Sequence, residues 1–164
     1  MLRPPQDLEA HRIAEICSDP EIARWTNVPR PYTLEDAHQW IAYAAIERER
    51  GSGLHLVAVR PGDGRLVGSA ALRLAGAPAH GDIGYWVAPD ARGTGVGTRA
   101  VGLLVELAFG ALRLPYVEIV ISPRNEASRA LAQRAAFEQT ATELRMFKGS
   151  LAEFEIWRRH RLDS

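Results

Sequence analysis

The sequence predicts a mixed α+β domain built on one central sheet, and three observations carry that expectation. Apolar residues at helical spacing open the chain, and the spacing turns strand-like at residue 54. From residue 82 onward strands and helices alternate, and the chain closes on a hairpin pattern. No repeat, low-complexity tract or long linker divides the 164 residues, which suit one domain over 1–164.

Taken in order, Asp7 caps a first helix on Leu8, Ile13 and Ile16, which Asp19-Pro20 ends. A loop follows at Pro29, Pro31 and Tyr32. Thr33 caps a second helix, with Asp36 three residues on as its acidic partner. Trp40, Ile41, Ala44 and Ala45 form its apolar stripe until Gly51-Ser52-Gly53 breaks it. Strands at 54–59 and 66–74 flank Pro61-Gly62-Asp63-Gly64, whose residues are those of a turn. After a loop at 75–80, a third strand runs over 82–87 and closes at Pro89. A helix is expected over 95–112, with Val96, Ala100, Leu103, Leu104, Leu107 and Ala108 inward. A strand at 116–122 and a helix at 126–135 follow, the latter burying Ala127, Ala130, Leu131 and Ala135. Strands at 137–147 and 151–157 meet at Lys148-Gly149-Ser150.

Composition narrows the function classes. Hydrophobic residues make up 46% and charged residues 24%, which excludes a disordered or fibrous chain. Twenty basic and twenty acidic residues cancel, so no whole-molecule field draws in nucleic acid or an anionic membrane. Neither is an expected partner. The single cysteine, Cys17, lies among Ile13 and Ile16 and reads as core; one cysteine also fits a cytoplasmic protein. No signal peptide pattern opens the chain, and the five histidines lack ligand spacing, so no metal is expected.

The run Arg92-Gly93-Thr94-Gly95-Val96-Gly97-Thr98 carries the chemistry. A chain passing from strand to helix exposes the helix's first N–H groups, and the helix dipole adds positive potential there. Glycines at 93, 95 and 97 let an anion approach the backbone, and Arg92 and Arg99 offer charge-assisted contacts. The Walker pattern needs Lys-Ser/Thr after its last glycine, and the dinucleotide pattern needs two residues before its third; neither fits.

With Arg92, Gly95 and Gly97 in Arg/Gln-x-x-Gly-x-Gly/Ala spacing, the chain resembles the GNAT N-acetyltransferase superfamily. Asp19-Pro20-Glu21, Pro31-Tyr32-Thr33, Trp40-Ile41, Ile83-Gly84-Tyr85-Trp86 and Asn125-x-x-Ser128-x-x-Leu131 with Phe137 are similar to its ribosomal-protein (RimJ/RimL-type) branch. The resemblance implies a mixed, mostly antiparallel sheet of six to seven strands, splayed at its centre, with about four helices. It implies acetyl-coenzyme A as acyl donor and a primary amine as acceptor, either a protein N-terminus or a small molecule. Cofactor contacts are implied at Val87, Arg92, Gly93, Thr94, Gly95, Val96, Gly97, Thr98, Asn125 and Ser128.

The resemblance further makes Ser128 the expected acid for the leaving thiolate, since Ala132 stands where many relatives carry tyrosine. Asp82 is the expected base acting through water, with Glu143 and Glu155 weaker candidates. Trp25, Tyr32, Trp40 and Tyr85 are implied at the acceptor pocket. Deprotonating a lysine at pH 7 costs about 4.6 kcal/mol, an α-amine about 1 kcal/mol, so a weak base serves only the latter. A non-catalytic acyl-CoA-binding module is the rival reading. Three departures from the branch stand out: only Met1-Leu2-Arg3 precede the first helix, Ala136 replaces a glycine, and the last strand is charged enough to suggest an edge or a homodimer interface.

Overall fold

The computed structural model describes residues 1–76 and 79–162. Ala77 and Pro78, in the loop expected at 75–80, lie outside the described residues. Seven strands form one sheet: β1 (Leu2–Arg3), β2 (Gly53–Val59), β3 (Leu66–Ala75), β4 (His80–Val87), β5 (Tyr116–Ile121), β6 (Glu138–Phe147) and β7 (Ser150–His160). The order across it is β1-β2-β3-β4-β5-β7-β6. All neighbours are antiparallel except β4 and β5. Those two pair only at Gly81↔Val117 and Asp82↔Glu118, then part, which is the expected central splay.

The described residues also form five α-helices: α1 (Ala10–Cys17), α2 (Pro20–Trp25), α3 (Leu34–Arg50), α4 (Val96–Gly110) and α5 (Glu126–Arg134). None is long and apolar enough to cross a membrane. Asp19-Pro20 ends α1 and also starts α2, because Asp19 accepts the Glu21 and Ile22 N–H groups while Pro20 sits where no N–H is needed. Thr33 and Asp36 form the reciprocal cap expected of α3. Leu8 is exposed, because a 3-10 turn at Asp7–Glu9 precedes α1 and shifts the helical phase.

Alternation along the strands sends two cores to opposite faces. Ala70, Leu72, Ile83, Val117 and Ile121 pack under α4 and α5, with Val101, Leu104 and Leu131. Val57, Val59, Leu66 and Val67 pack under α1 and α3, with Ile13, Ile16, Cys17 and Ile41. Cys17 is core, as expected: burial pushes its thiol up to about 12, against the hydrogen bond from Tyr32. On α4 the buried stripe is Gly97, Ala100, Val101, Leu104, Val105 and Ala108, so Leu103 falls at its margin and is exposed. On α5, Ala132 is buried and Ala127 is exposed, facing a cleft.

The charged last strand is not an edge. β7 lies between β5 and β6, and its charges are matched: Arg158 donates to Glu118 at 3.1 Å, and Glu155 accepts from Arg129 at 3.0 Å and Trp157 at 2.8 Å. The edge is β6. Ala136 adopts φ 59°, the left-handed conformation for which glycine is favoured.

Candidate active site

A cleft of about 1360 Å³ runs through the sheet where β4 and β5 part. Strand alternation puts Tyr85 and Val87 on the α4/α5 face of β4, and Asp82, Gly84 and Trp86 on the α3 face. Both sets line the cleft, so the splay joins the two faces.

On the α4 face lies the glycine turn. Pro89–Ala91 form a short 3-10 turn, and Gly93 and Gly95 take φ 75° and 81°, which place the chain at the head of α4. The first main-chain bond entering α4 runs from Arg99 N–H to Gly95 O at 3.0 Å. The N–H groups of Val96, Gly97 and Thr98 precede it and have no helical carbonyl to reach, which leaves donors for an anion. Val87, Arg92, Gly93, Gly95, Val96, Gly97 and Thr98 all line the cleft.

Four details of the expected turn change. Arg92 donates to Asp19 at 2.5 Å, so its guanidinium ties the turn to the cap of α2. Burial works to raise Asp19, but the Arg92 hydrogen bond and the Ile22 and Glu21 N–H groups outweigh it and hold the carboxyl below its ordinary value. Arg99 lies instead beside a smaller pocket with Met1 and Leu2, away from the cleft. Gly97 is a packing glycine: a Cβ there would meet Leu131 Cδ1 at 2.9 Å and Val87 Cγ2 at 3.3 Å, which sets how closely α4 approaches β4 and α5. Thr94 turns its hydroxyl back to Ala91 O at 2.6 Å and is not among the cleft-lining residues.

Ser128 and Tyr85, assigned separate roles from sequence, meet. Their oxygens are 2.8 Å apart in the cleft wall. Asn125 caps α5 by accepting the Ser128 N–H at 3.1 Å, which fixes the serine in the first turn. Burial raises the Tyr85 phenol, against the Ser128 hydrogen bond and the nearby Arg134 charge. The pair is therefore protonated at neutral pH and can donate a proton.

Through the splay, Asp82 lies on the other face. Arg73, directly across in register, donates Nη2 and Nε to its Oδ2 at 2.8 and 3.2 Å. Next to Arg73 stands His55, held below its ordinary pKa by burial and then by the Arg73 charge, with Glu47 opposing. The His55 ring packs edge-on against Tyr43 and Trp40. Trp25 and Tyr32 also line this end; Trp25 donates to Glu21 at 3.0 Å. Glu143 and Glu155 do not line the cleft: the first pairs with Arg145 and the second is buried against Arg129 and Trp157. Sequence reading missed Arg73, His55 and Tyr43. For Arg73 and His55 the available signal was a lone charge or imidazole in an otherwise apolar strand; Tyr43, on α3, carried none.

A splayed sheet with an anion-binding turn on one face and a polar pocket on the other defines an acyl-CoA-using transferase class. Residues 1–138 match the acetyltransferase (GNAT) domain model, and the chain belongs to that family. It is 31% identical over 110 residues to the probable N-acetyltransferase YjcK of Bacillus subtilis (strain 168). That match covers 66% of this chain and 61% of YjcK, less than two thirds of the relative. Among solved structures, Mycobacterium smegmatis RimJ in complex with CoA-disulfide superposes with a TM-score of 0.86 at 23% identity, covering 97% of this chain and 80% of that one. RimL, a ribosomal L7/L12 alpha-N-protein acetyltransferase in complex with coenzyme A, gives 0.87 at 15%, covering 98% and 93%. The coenzyme A in that complex belongs to RimL; in this chain the free first-turn N–H groups of α4 and the inner edge of β4 beyond Asp82 offer donors and acceptors that suit a pyrophosphate and an amide-bearing arm.

Proposed function

We propose that this chain, acting as one catalytic domain, transfers an acetyl group to an α-amine, a protein N-terminus before a small-molecule amine, by direct attack in a ternary complex. The 2.8 Å Tyr85–Ser128 contact in the wall of the cleft is the observation that supports this reading, because two linked hydroxyls between the ends of the cleft suit the role of proton source. Bound acetyl-coenzyme A supplies an acyl thioester. The N–H groups of residues 93–98 hold the anionic end, with the backbone of Val87 and the head of α5 at Asn125 beside the extended arm. Tyr85 and Ser128 then deliver a proton to the departing sulfur as the C–S bond breaks, Ser128 giving its own and regaining one from Tyr85.

On the α3 face, Trp25, Tyr32 and Tyr43 wall the acceptor. Asp82 accepts the proton of the attacking amine through water. Both Arg73 contacts to Asp82 fall on Oδ2, so Oδ1 is the oxygen turned to that task. A carboxylate is a weak base, and a weak base suits an α-amine, whose deprotonation costs about 1 kcal/mol at pH 7. The RimL neighbour, by its name, also acts on α-N groups of protein.

The test incubates the protein with acetyl-coenzyme A and peptides carrying a free α-amine, a blocked α-amine with a free lysine, or neither, alongside polyamines. Thiol release with the free α-amine alone is the expected result. Release with lysine or polyamine alone moves the acceptor. Cofactor binding without release across the panel overturns the enzyme reading in favour of an acyl-CoA sensor.

A further inference from the structure

β3 carries a guanidinium onto the α3 face of the sheet, and two glycines make room for it. Gly53, Arg73 and Asp82 stand side by side in register on β2, β3 and β4. A Cβ on Gly53 would meet Arg73 Cγ at 3.5 Å, and a Cβ on Gly84 would meet its Nη2 and Nη1 at 3.4 and 3.6 Å. Glycine weakens a strand interior and often marks a close approach, and here the approach is by the Arg73 side chain. With its stem beside Gly53 and its head over Gly84, that side chain lies along the sheet, where strand side chains ordinarily stand off it.

This orientation aims the fork. Nε and Nη2 both donate to Asp82 Oδ2, at 3.2 and 2.8 Å, and Nη1 has no partner among the described residues. Gly84 lies two residues beyond Asp82↔Glu118, the last pair between β4 and β5. The end of the guanidinium over Gly84 therefore faces the stretch of cleft where the strands have already parted, and Arg73, Asp82 and Gly84 all line it.

We propose that Arg73 selects the acceptor by donating from Nη1 to the carbonyl oxygen of the acceptor's first residue. Given the α-amine acceptor proposed above, on which this rests, that carbonyl is bonded to the carbon bearing the nitrogen. Its oxygen then lies within about 3.5 Å of the nitrogen. Asp82 and Arg73 form one clamped unit, so a nitrogen reaching Oδ1 through a water brings the carbonyl to the neighbouring edge of the guanidinium. A lysine side chain or a polyamine has no oxygen at that place and leaves Nη1 without a partner. The group recognised is also the one that holds an α-amine near a pKa of about 7.8, against about 10.4 for lysine. One contact thus picks out the amine that a weak base can serve. A neutral peptide carbonyl suits the site better than the carboxylate of a free amino acid, because a second anion would stand beside Asp82.

The test compares kcat/KM for three acceptors: a short peptide with a free α-amine, its isostere with CH=CH replacing the first peptide bond, and the free amino acid. Rates are referred to the unprotonated amine, which removes differences in amine pKa. The wild type is expected to favour the peptide over the isostere about 100-fold, and to use the free amino acid less well than the peptide. Arg73→Lys keeps a cation beside Asp82 but lacks the fork. Both Arg73→Lys and Arg73→Met should bring the peptide-to-isostere ratio to within about threefold, with KM for acetyl-CoA unchanged. A weakened Asp82 clamp slows peptide and isostere alike and cancels in the ratio; circular dichroism confirms that each variant is folded. A wild type without preference, or a preference that survives both substitutions, overturns the proposal, and better use of the free amino acid overturns the peptide carbonyl. Acetylation without discrimination removes only the role of Arg73, whereas failure to acetylate any free α-amine removes the α-amine reading and this inference together.

Discussion

The two ends of the cleft are built from different materials. At the end proposed for the cofactor the groups on offer belong to the backbone: positive-φ glycines at 93 and 95 and the first turn of α4. At the end proposed for the acceptor they belong to side chains brought from β2, β3, β4 and α3, namely His55, Arg73, Asp82, Trp40 and Tyr43. A backbone site is fixed by a short run of sequence, because glycine spacing and a following helix suffice. A side-chain site exists only once the sheet is assembled, because strands nearly 30 residues apart in sequence must come into register. Tyr85 and Ser128 sit between these cases, 43 positions apart in sequence with 2.8 Å between their oxygens.

This contrast can be broken from the middle outward. Removing the shared hydroxyl by Ser128→Ala is expected to lower kcat roughly 100-fold, the low end for a positioned acid, with acetyl-CoA affinity nearly unchanged. Tyr85→Phe should lower it less, and the double variant little further, because the two act in one relay; steady-state kinetics on all three decide it. Additive losses would separate the two hydroxyls. Asp82→Asn at the side-chain end should cost about tenfold in kcat toward an α-amine peptide, since water retains part of the role. An unimpaired rate would remove Asp82 from the mechanism.

Much of the fold was legible because it is written locally. The Thr33–Asp36 cap, the hairpin around Gly62-Asp63 and the strand–turn–helix at 82–110 each depend on neighbours in sequence. The glycine turn was legible for the same reason. The order of the last two strands was not: β7 enters the sheet between β5 and β6, and its charges looked out of place until Glu118 and Arg129 appeared beside Arg158 and Glu155. Arg92 misled in the same way, since Asp19, 73 residues earlier, takes its guanidinium.

Smaller effects test the supports of the two ends. Asp19→Ala removes the cap of α2 and the clamp on Arg92, and should cost about 1 kcal/mol, a fall in Tm of about 2–4 °C. Asp19 has its folded-state pKa lowered, so its contribution is present above the ordinary carboxyl value near 3.9 and lost as pH falls through the folded value. The Tm gap between wild type and Asp19→Ala should therefore close on acidification below about pH 4. Ala136→Gly, relieving φ 59°, should raise stability by about 1 kcal/mol or somewhat less, a Tm gain of about 2–4 °C at most by thermal melt.

On the proposed function, backbone at the glycine turn grips the acyl donor. Calorimetric titration of coenzyme A into wild type and Gly95→Val tests it most directly. Gly95 takes φ 81° with no heavy atom within 4 Å of an added Cβ, so a valine side chain has space yet strains the turn that aims the N–H groups. The expected result is a dissociation constant raised roughly 30-fold, equivalent to about 2 kcal/mol, with circular dichroism unchanged. Wild-type affinity in a folded Gly95→Val protein would contradict the account.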